Sequence, residues 1–269
     1  NHELIVDPTR YRPITETADE LDKLIDAGKG GYVFLSGGPG TGKSSLLTQW
    51  AKTKHTYRVI RYYAFDFSDP ASIYNSSKRG EATSLFFDMV LQLKKHNICR
   101  GDTLIQEDPV ELRKTFSRQL AELGRIYAQT GERTIFIIDG LDHIPREYHG
   151  VMTSLLSELP SPDSLPDGVT IILGSQTFEL EGLQPDVKAA WKKKDCNIQM
   201  ASLPKNEVYK YIDDSALPVT INDDHKQKIF EISQGHPLYL SYLVNRIKET
   251  SDLQFLQEEM PIDGDIEKL

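Results

Sequence analysis

The stretch Tyr32-Val33-Phe34-Leu35-Ser36-Gly37-Gly38-Pro39-Gly40-Thr41-Gly42-Lys43-Ser44-Ser45 decides the fold. Its first five residues are a short apolar run entering glycines directly, the pattern of a buried parallel strand. Residues 37–44 match G-x-x-x-x-G-K-[ST] at every fixed position. Beyond them, 44–52 places Leu46, Leu47 and Trp50 on one helical face. A strand, a glycine loop and a helix in this order form a phosphate cradle. Gly38, Pro39, Gly40, Thr41 and Gly42 let successive backbone N–H groups turn inward. The helix start adds its partial positive charge. Lys43 is placed to reach β- and γ-phosphates, Ser44 to ligate Mg2+, and Ser45 to donate to an α-phosphate.

Working outward, 58–67, 134–139 and 169–175 are further strand candidates. Helical spacing marks 15–27, 84–95, 111–129 and 151–159. Alternation of this kind predicts an α/β fold, a parallel sheet covered by helices on both faces. From about residue 203 the pattern turns wholly helical, over 204–213, 223–233 and 237–249. The expected organisation is a P-loop NTPase core over 1–200 and a small helical lid domain over 201–269.

The run IFIIDGLD at 135–142 ends four apolar residues in Asp139, with Asp142 three positions on. A buried strand ends in a carboxylate when a cation sits there; beside a P-loop that cation is Mg2+, shared by Ser44 and Asp139. Asp142 is then the candidate to orient or deprotonate the attacking water. Gln176, at the end of the strand over 169–175, and His143 are candidates to sense a γ-phosphate. Gly235-His236-Pro237 opens the last helix, where proline at a first helical position has a sufficient structural reason.

The chain has 269 residues, 39% hydrophobic and 26% charged, an ordinary globular balance. A net charge of −9 disfavours a nucleic-acid or anionic-membrane surface. The lysines of 188–194 around Trp191 read as a solvated helix end. Cys99 and Cys196 form no CxxC, which points to a reducing compartment, and a cytoplasmic location is expected. No apolar run approaches the roughly 18 residues of a membrane span, and no signal peptide is visible.

Four segments together, GGPGTGKS at 37–44, IFIIDGLD at 135–142, ILGSQ at 172–176 and GHPLYL at 235–240, make the chain resemble STAND-class NTPases, which include NACHT and NB-ARC domains. The resemblance implies ATP or ADP as ligand, with Pro237 packed against the adenine and Arg12 and Ile14 near the base. It implies a switch that forms a homo-oligomer on activation, between effector and sensor domains of one longer chain, as in bacterial antiphage defence or innate immunity. The start at Asn1 and the tail 263–269, which looks like the approach to a winged helix, fit an excised module. Two departures stand out: His143 replaces a frequent acid, and Gln176 replaces a frequent cationic sensor. Slow turnover is the expectation, unless a neighbouring subunit supplies an arginine. A stand-alone ATPase or kinase, and a scaffold that holds nucleotide without hydrolysis, are the competing readings.

Overall fold

The computed structural model describes residues 4–8, 10–65, 78–99, 108–147 and 153–257. Parts of the expected strand over 58–67 and helix over 151–159, and the whole tail 263–269, lie outside the described residues. Among those described, β1 (Gly31–Ser36), β2 (Arg58–Tyr63), β3 (Thr134–Asp139), β4 (Val169–Ser175) and β5 (Asn197–Gln199) form one sheet of order β2-β3-β4-β1-β5. Every pairing is parallel. β3 and β4 are buried along their whole length, because helices cover both faces and leave no side for polar alternation.

Side chains alternate between two cores, as the two-residue strand period requires. Phe34, Phe136, Ile138, Ile171 and Leu173 point to one face. There α3 (Ala82–Lys95) and α4 (Pro109–Thr130) lay down Leu85, Phe86, Met89, Leu112, Phe116 and Leu120. Val33, Leu35, Ile135, Ile137 and Ile172 point to the other face. It is covered by α1 (Thr15–Ala27) and α2 (Lys43–Thr53) through Leu21, Ile25, Leu46, Leu47 and Trp50. Asp22 ties these two helices together, accepting from Trp50 Nε1 at 2.8 Å and Lys54 Nζ at 2.6 Å.

Of the expected helices whose bounds differ, two have a clear local cause. α4 starts at Pro109, because Asp108 caps it by accepting from the N–H groups of Val110 and Glu111 at 3.0 and 2.9 Å. After the short α5 (Ile144–Glu147), the helix expected over 151–159 is the single turn α6 (Leu155–Glu158). Ser154 caps its start, and Leu159 is extended (ψ 138°) ahead of Pro160, whose ring disfavours a helical residue before it. The sheet also holds two elements that the sequence pattern hid, β5 and α7 (Pro185–Lys192). β5 is three residues long with only Ile198 buried, too short to show a period. The lysines beyond Trp191 are the exposed end of α7.

After residue 200 the described chain is helical: α8 (Lys205–Asp213), α9 (Asp223–Ser233) and α10 (Pro237–Thr250), then a 3-10 turn (Gln254–Gln257). Val208, Ile212, Ile229, Ile232, Leu243 and Ile247 belong to the same apolar cluster as the α1–α2 face of the sheet. No helix among the described residues is long and apolar enough to cross a membrane.

Candidate nucleotide-binding site

The carboxyl ends of β1, β3 and β4 meet at one place. Register sets Ser36 beside Ser175 and Asp139 beside Gly174, so the loop after β1 faces the acid at the end of β3 across β4. Crevices outside strand carboxyl ends, where connections diverge, are the usual ligand sites of such sheets. Here β1 connects across the sheet to β2, whereas β4 connects past β1 to β5. A cavity of about 770 Å³ opens at this point, a size suited to a nucleotide-like ligand.

The loop owes its shape to its glycines. Gly40 (φ 69°) and Gly42 (φ 90°) adopt left-handed backbone that suits glycine and builds an anion nest. Gly42 is also the N-cap of α2 and offers no side-chain cap, so the first-turn N–H groups remain for a ligand. Pro39, Gly40, Gly42, Lys43, Ser44 and Ser45 line the cavity. Gly38 and Thr41 stand behind it, where the Thr41 hydroxyl donates to the Gly38 carbonyl at 2.9 Å. Lys43 Nζ donates to the carbonyls of Gly37 and Gly38 at 2.6 and 3.1 Å. Burial pushes its ammonium down from the usual lysine range, against the pull of Asp142 and Asp139.

Asp139 is completely buried, and neither carboxylate oxygen has a hydrogen-bond partner of good geometry. Burial pushes its carboxyl up, opposed by the neighbouring Ser44 hydroxyl and Lys43 ammonium. Two buried oxygens without a hydrogen bond of good geometry, next to a serine hydroxyl, form a donor set that suits a hard divalent cation. Ser44 and Asp139 therefore fit Mg2+, with phosphate and water oxygens completing the shell. No group of three or more His, Cys, Asp or Glu able to hold a metal occurs among the described residues. Gly174 makes room for this carboxylate. A Cβ there would stand 2.1 Å from Asp139 Oδ1, and the glycine inside an otherwise apolar strand was the sequence signal for that approach.

Asp142 is fixed from the other side. Its Oδ1 accepts from the Gln176 backbone N–H at 3.0 Å, while buried Oδ2 has no hydrogen-bond partner; the Ser175 hydroxyl nearby donates instead to the Thr177 carbonyl at 2.5 Å. His143 Nε2 lies 4.0 Å from that oxygen, and its ring stacks on Phe65 with centroids 4.8 Å apart. Asp142, His143 and Gln176 all line the cavity. Gln176 thus positions Asp142 through its main chain, whatever its side chain contributes.

Aromatic and aliphatic side chains form much of the rest of the cavity wall. Ile14, Tyr11, Tyr211, Pro237 and Leu240 line it. Arg12 also reaches it, but its guanidinium is engaged: Nη2 bonds Asp214 Oδ2 at 2.7 Å and the group lies over the Tyr211 ring at 5.5 Å. Pro237 packs on the loop, its ring 3.7 Å from where a Gly42 Cβ would be. His236 carries more than a helix start. Its Nδ1 accepts from the Tyr239 N–H at 3.3 Å, and its Nε2 meets the Pro39 carbonyl at 3.0 Å. Since a carbonyl only accepts, Nε2 bears the proton. Burial pushes the imidazole down, its loop hydrogen bond opposes, and Lys43 adds to the downward push.

With this geometry in place, comparison with known proteins is informative. The family model described as "Nephrocystin 3, N-terminal" matches residues 14–175, more than half of the chain. The chain belongs to the nephrocystin 3 N-terminal family. The matched span runs from the end of the N-terminal strap through the P-loop and Asp139 to the end of β4, so the family match contains the loop and both acids. No curated protein matched the sequence. Among solved structures, the chain is similar to a Walker-type ATPase of Pyrococcus abyssi at 16% identity and a TM-score of 0.58, covering 94% of this chain and 73% of that one. It is also similar to Cdc6p from Pyrobaculum aerophilum at 16% identity and a TM-score of 0.53, covering 93% and 68%. At such identities the likeness shows the fold alone, that of a P-loop NTPase.

Proposed function

We propose that the chain is the ATP-binding switch module of a larger signalling or defence protein, of the STAND type, hydrolysing its nucleotide slowly. The observation that carries this reading is Asp139: a fully buried carboxylate with no hydrogen bond of good geometry, beside Ser44 and Lys43 at the end of an otherwise apolar strand. A fold tolerates such a group where a ligand completes it.

In this reading the base occupies the apolar end near Ile14, Arg12 and Pro237, and the phosphates follow the loop from Ser45 towards Gly40. Lys43 leaves the carbonyls of Gly37 and Gly38 to meet the β- and γ-phosphates. Ser44 and Asp139 would hold Mg2+, which would supply positive charge against the phosphate oxygens. Asp142, its Oδ1 anchored by Gln176 N–H, presents Oδ2 to the attacking water and takes its proton. The water oxygen bonds to the γ-phosphorus while the bond to the β-bridging oxygen breaks, yielding ADP and phosphate. The neutral Gln176 side chain stabilises developing charge less than an arginine would, which supports slow turnover. Exchange of ADP for ATP then shifts the helical lid and, in the full-length protein, oligomerisation and effector activation.

Calorimetry with ATP and ADP in the presence of Mg2+, together with native mass of the full-length protein, tests this. Binding by the wild type, its loss by at least tenfold in Lys43→Ala, and a mass that differs between ADP and ATP are the expected results. Equal mass in both nucleotides removes the oligomerisation switch. Retained binding but abolished hydrolysis in Asp142→Asn assigns the water-activating role.

A further inference from the structure

The apolar start of α10 does not only cover the nucleotide cavity; it grips the phosphate loop from behind. Two hydrogen bonds join them: His236 Nε2–H donates to the Pro39 carbonyl at 3.0 Å, and Leu238 N–H to the Gly40 carbonyl at 3.3 Å. The packing is close, for a Cβ on Gly40 would stand 2.6 Å from Leu238 Cβ and 3.1 Å from His236 Cε1. No described peptide bond is cis, so in the Pro39–Gly40 peptide the C=O and the N–H point in opposite directions. Holding the Pro39 carbonyl towards His236 therefore turns the Gly40 N–H away from the lid helix. Pro39 and Gly40 both line the cavity.

From this we infer that His236 is a positioning residue for the diphosphate: by fixing the Pro39–Gly40 peptide from outside, it aims the Gly40 N–H into the phosphate nest. The inference rests on the nucleotide reading above. The same imidazole caps α10 through the Tyr239 N–H, so lid order and loop shape depend on one ring. Its neighbours leave a single arrangement, with the proton on Nε2 and the lone pair on Nδ1. A preformed nest loses less conformational freedom when phosphate arrives. By reciprocity, phosphate in the nest tightens the lid on the loop.

Two variants separate this role from plain helix capping. His236→Asn keeps a favoured N-cap but is too short to reach Pro39; His236→Ala loses both contacts. Affinity for ADP and for AMP, which lacks the β-phosphate, is measured by calorimetry on each, with thermal unfolding as the fold control. The expected result is ADP binding weakened roughly three- to tenfold in both variants, the worth of one net hydrogen bond. AMP binding is unchanged, and stability is reduced only in His236→Ala. ADP affinity at the wild-type level in His236→Asn overturns the inference, as does an equal loss for AMP and ADP. Wild-type protein that binds no adenine nucleotide overturns the nucleotide reading itself, a result distinct from either of those.

Discussion

Asp139 costs the empty fold something. Its folded pKa lies above its unfolded one because burial disfavours the charge. The proton it holds therefore stabilises the fold at low pH, and that contribution is lost as pH rises through the folded value. At neutral pH the unfolded chain ionises this carboxyl freely, whereas the fold must either hold its proton or bury its charge. Asp139→Asn removes the charge and keeps the shape, so without ligand it should raise the unfolding free energy by ~1 kcal/mol. Urea unfolding at neutral pH measures this, and hydrolysis in the same variant should be lost. A variant no more stable than wild type would mean that Lys43 and Ser44 already compensate the charge. Lys43, Ser44, Asp139 and Asp142 could be picked out from sequence because a phosphate-loop pattern restricts residue type and spacing within short segments, and all four line one cavity. His236 could not be assigned its second contact, since Pro39 is 197 positions away and a proline at the first helical position already explained the motif. Gln176 was in view as a side chain, yet its main-chain N–H holds Asp142.

At the scale of elements, the long periodic helices and the buried strands were legible because each carries enough residues to show its period. β5 and α7 were not, for β5 is three residues long and α7 two turns. α6 is one turn because extended Ser154 caps it just before Leu155 and Pro160 stops it after Glu158. The strap ahead of α1 had no periodic signal at all, and its position depends on Arg12. That side chain is 8% exposed and bridges the strap to the end of α8 through Asp214, with Tyr211 beneath it. Exposed ion pairs contribute little, but this arginine is mostly buried and stacked. A double-mutant cycle of Arg12→Ala and Asp214→Ala should return a coupling of ~1 kcal/mol in urea unfolding. A coupling near zero would leave the strap held by Ile14 packing alone.

For the whole molecule, the expected split into an α/β core and a helical part follows chain order, whereas the apolar interior does not divide there. Leu35, Leu46, Met200, Leu203, Leu240 and Leu243 belong to one cluster. Ligand bound across that junction should therefore protect the entire chain against unfolding. At 100 times its dissociation constant, ADP with Mg2+ should add ~2.7 kcal/mol to stability by mass action. Calorimetric scanning should show this as one transition moving upward intact. Two transitions, only one of which moves, would show that the helical part melts separately. Chelating Mg2+ should reverse much of the gain if Ser44 and Asp139 hold the ion.

The continuous core has a kinetic meaning as well. Separating α8–α10 from the sheet would bare several large side chains to water, each worth about 1.5–3 kcal/mol when fully buried. An opening that must first break this contact crosses a high barrier and is slow to reverse. In the switch proposed above, such a barrier would act as a memory, letting a conformation outlast for a time the change in nucleotide that set it.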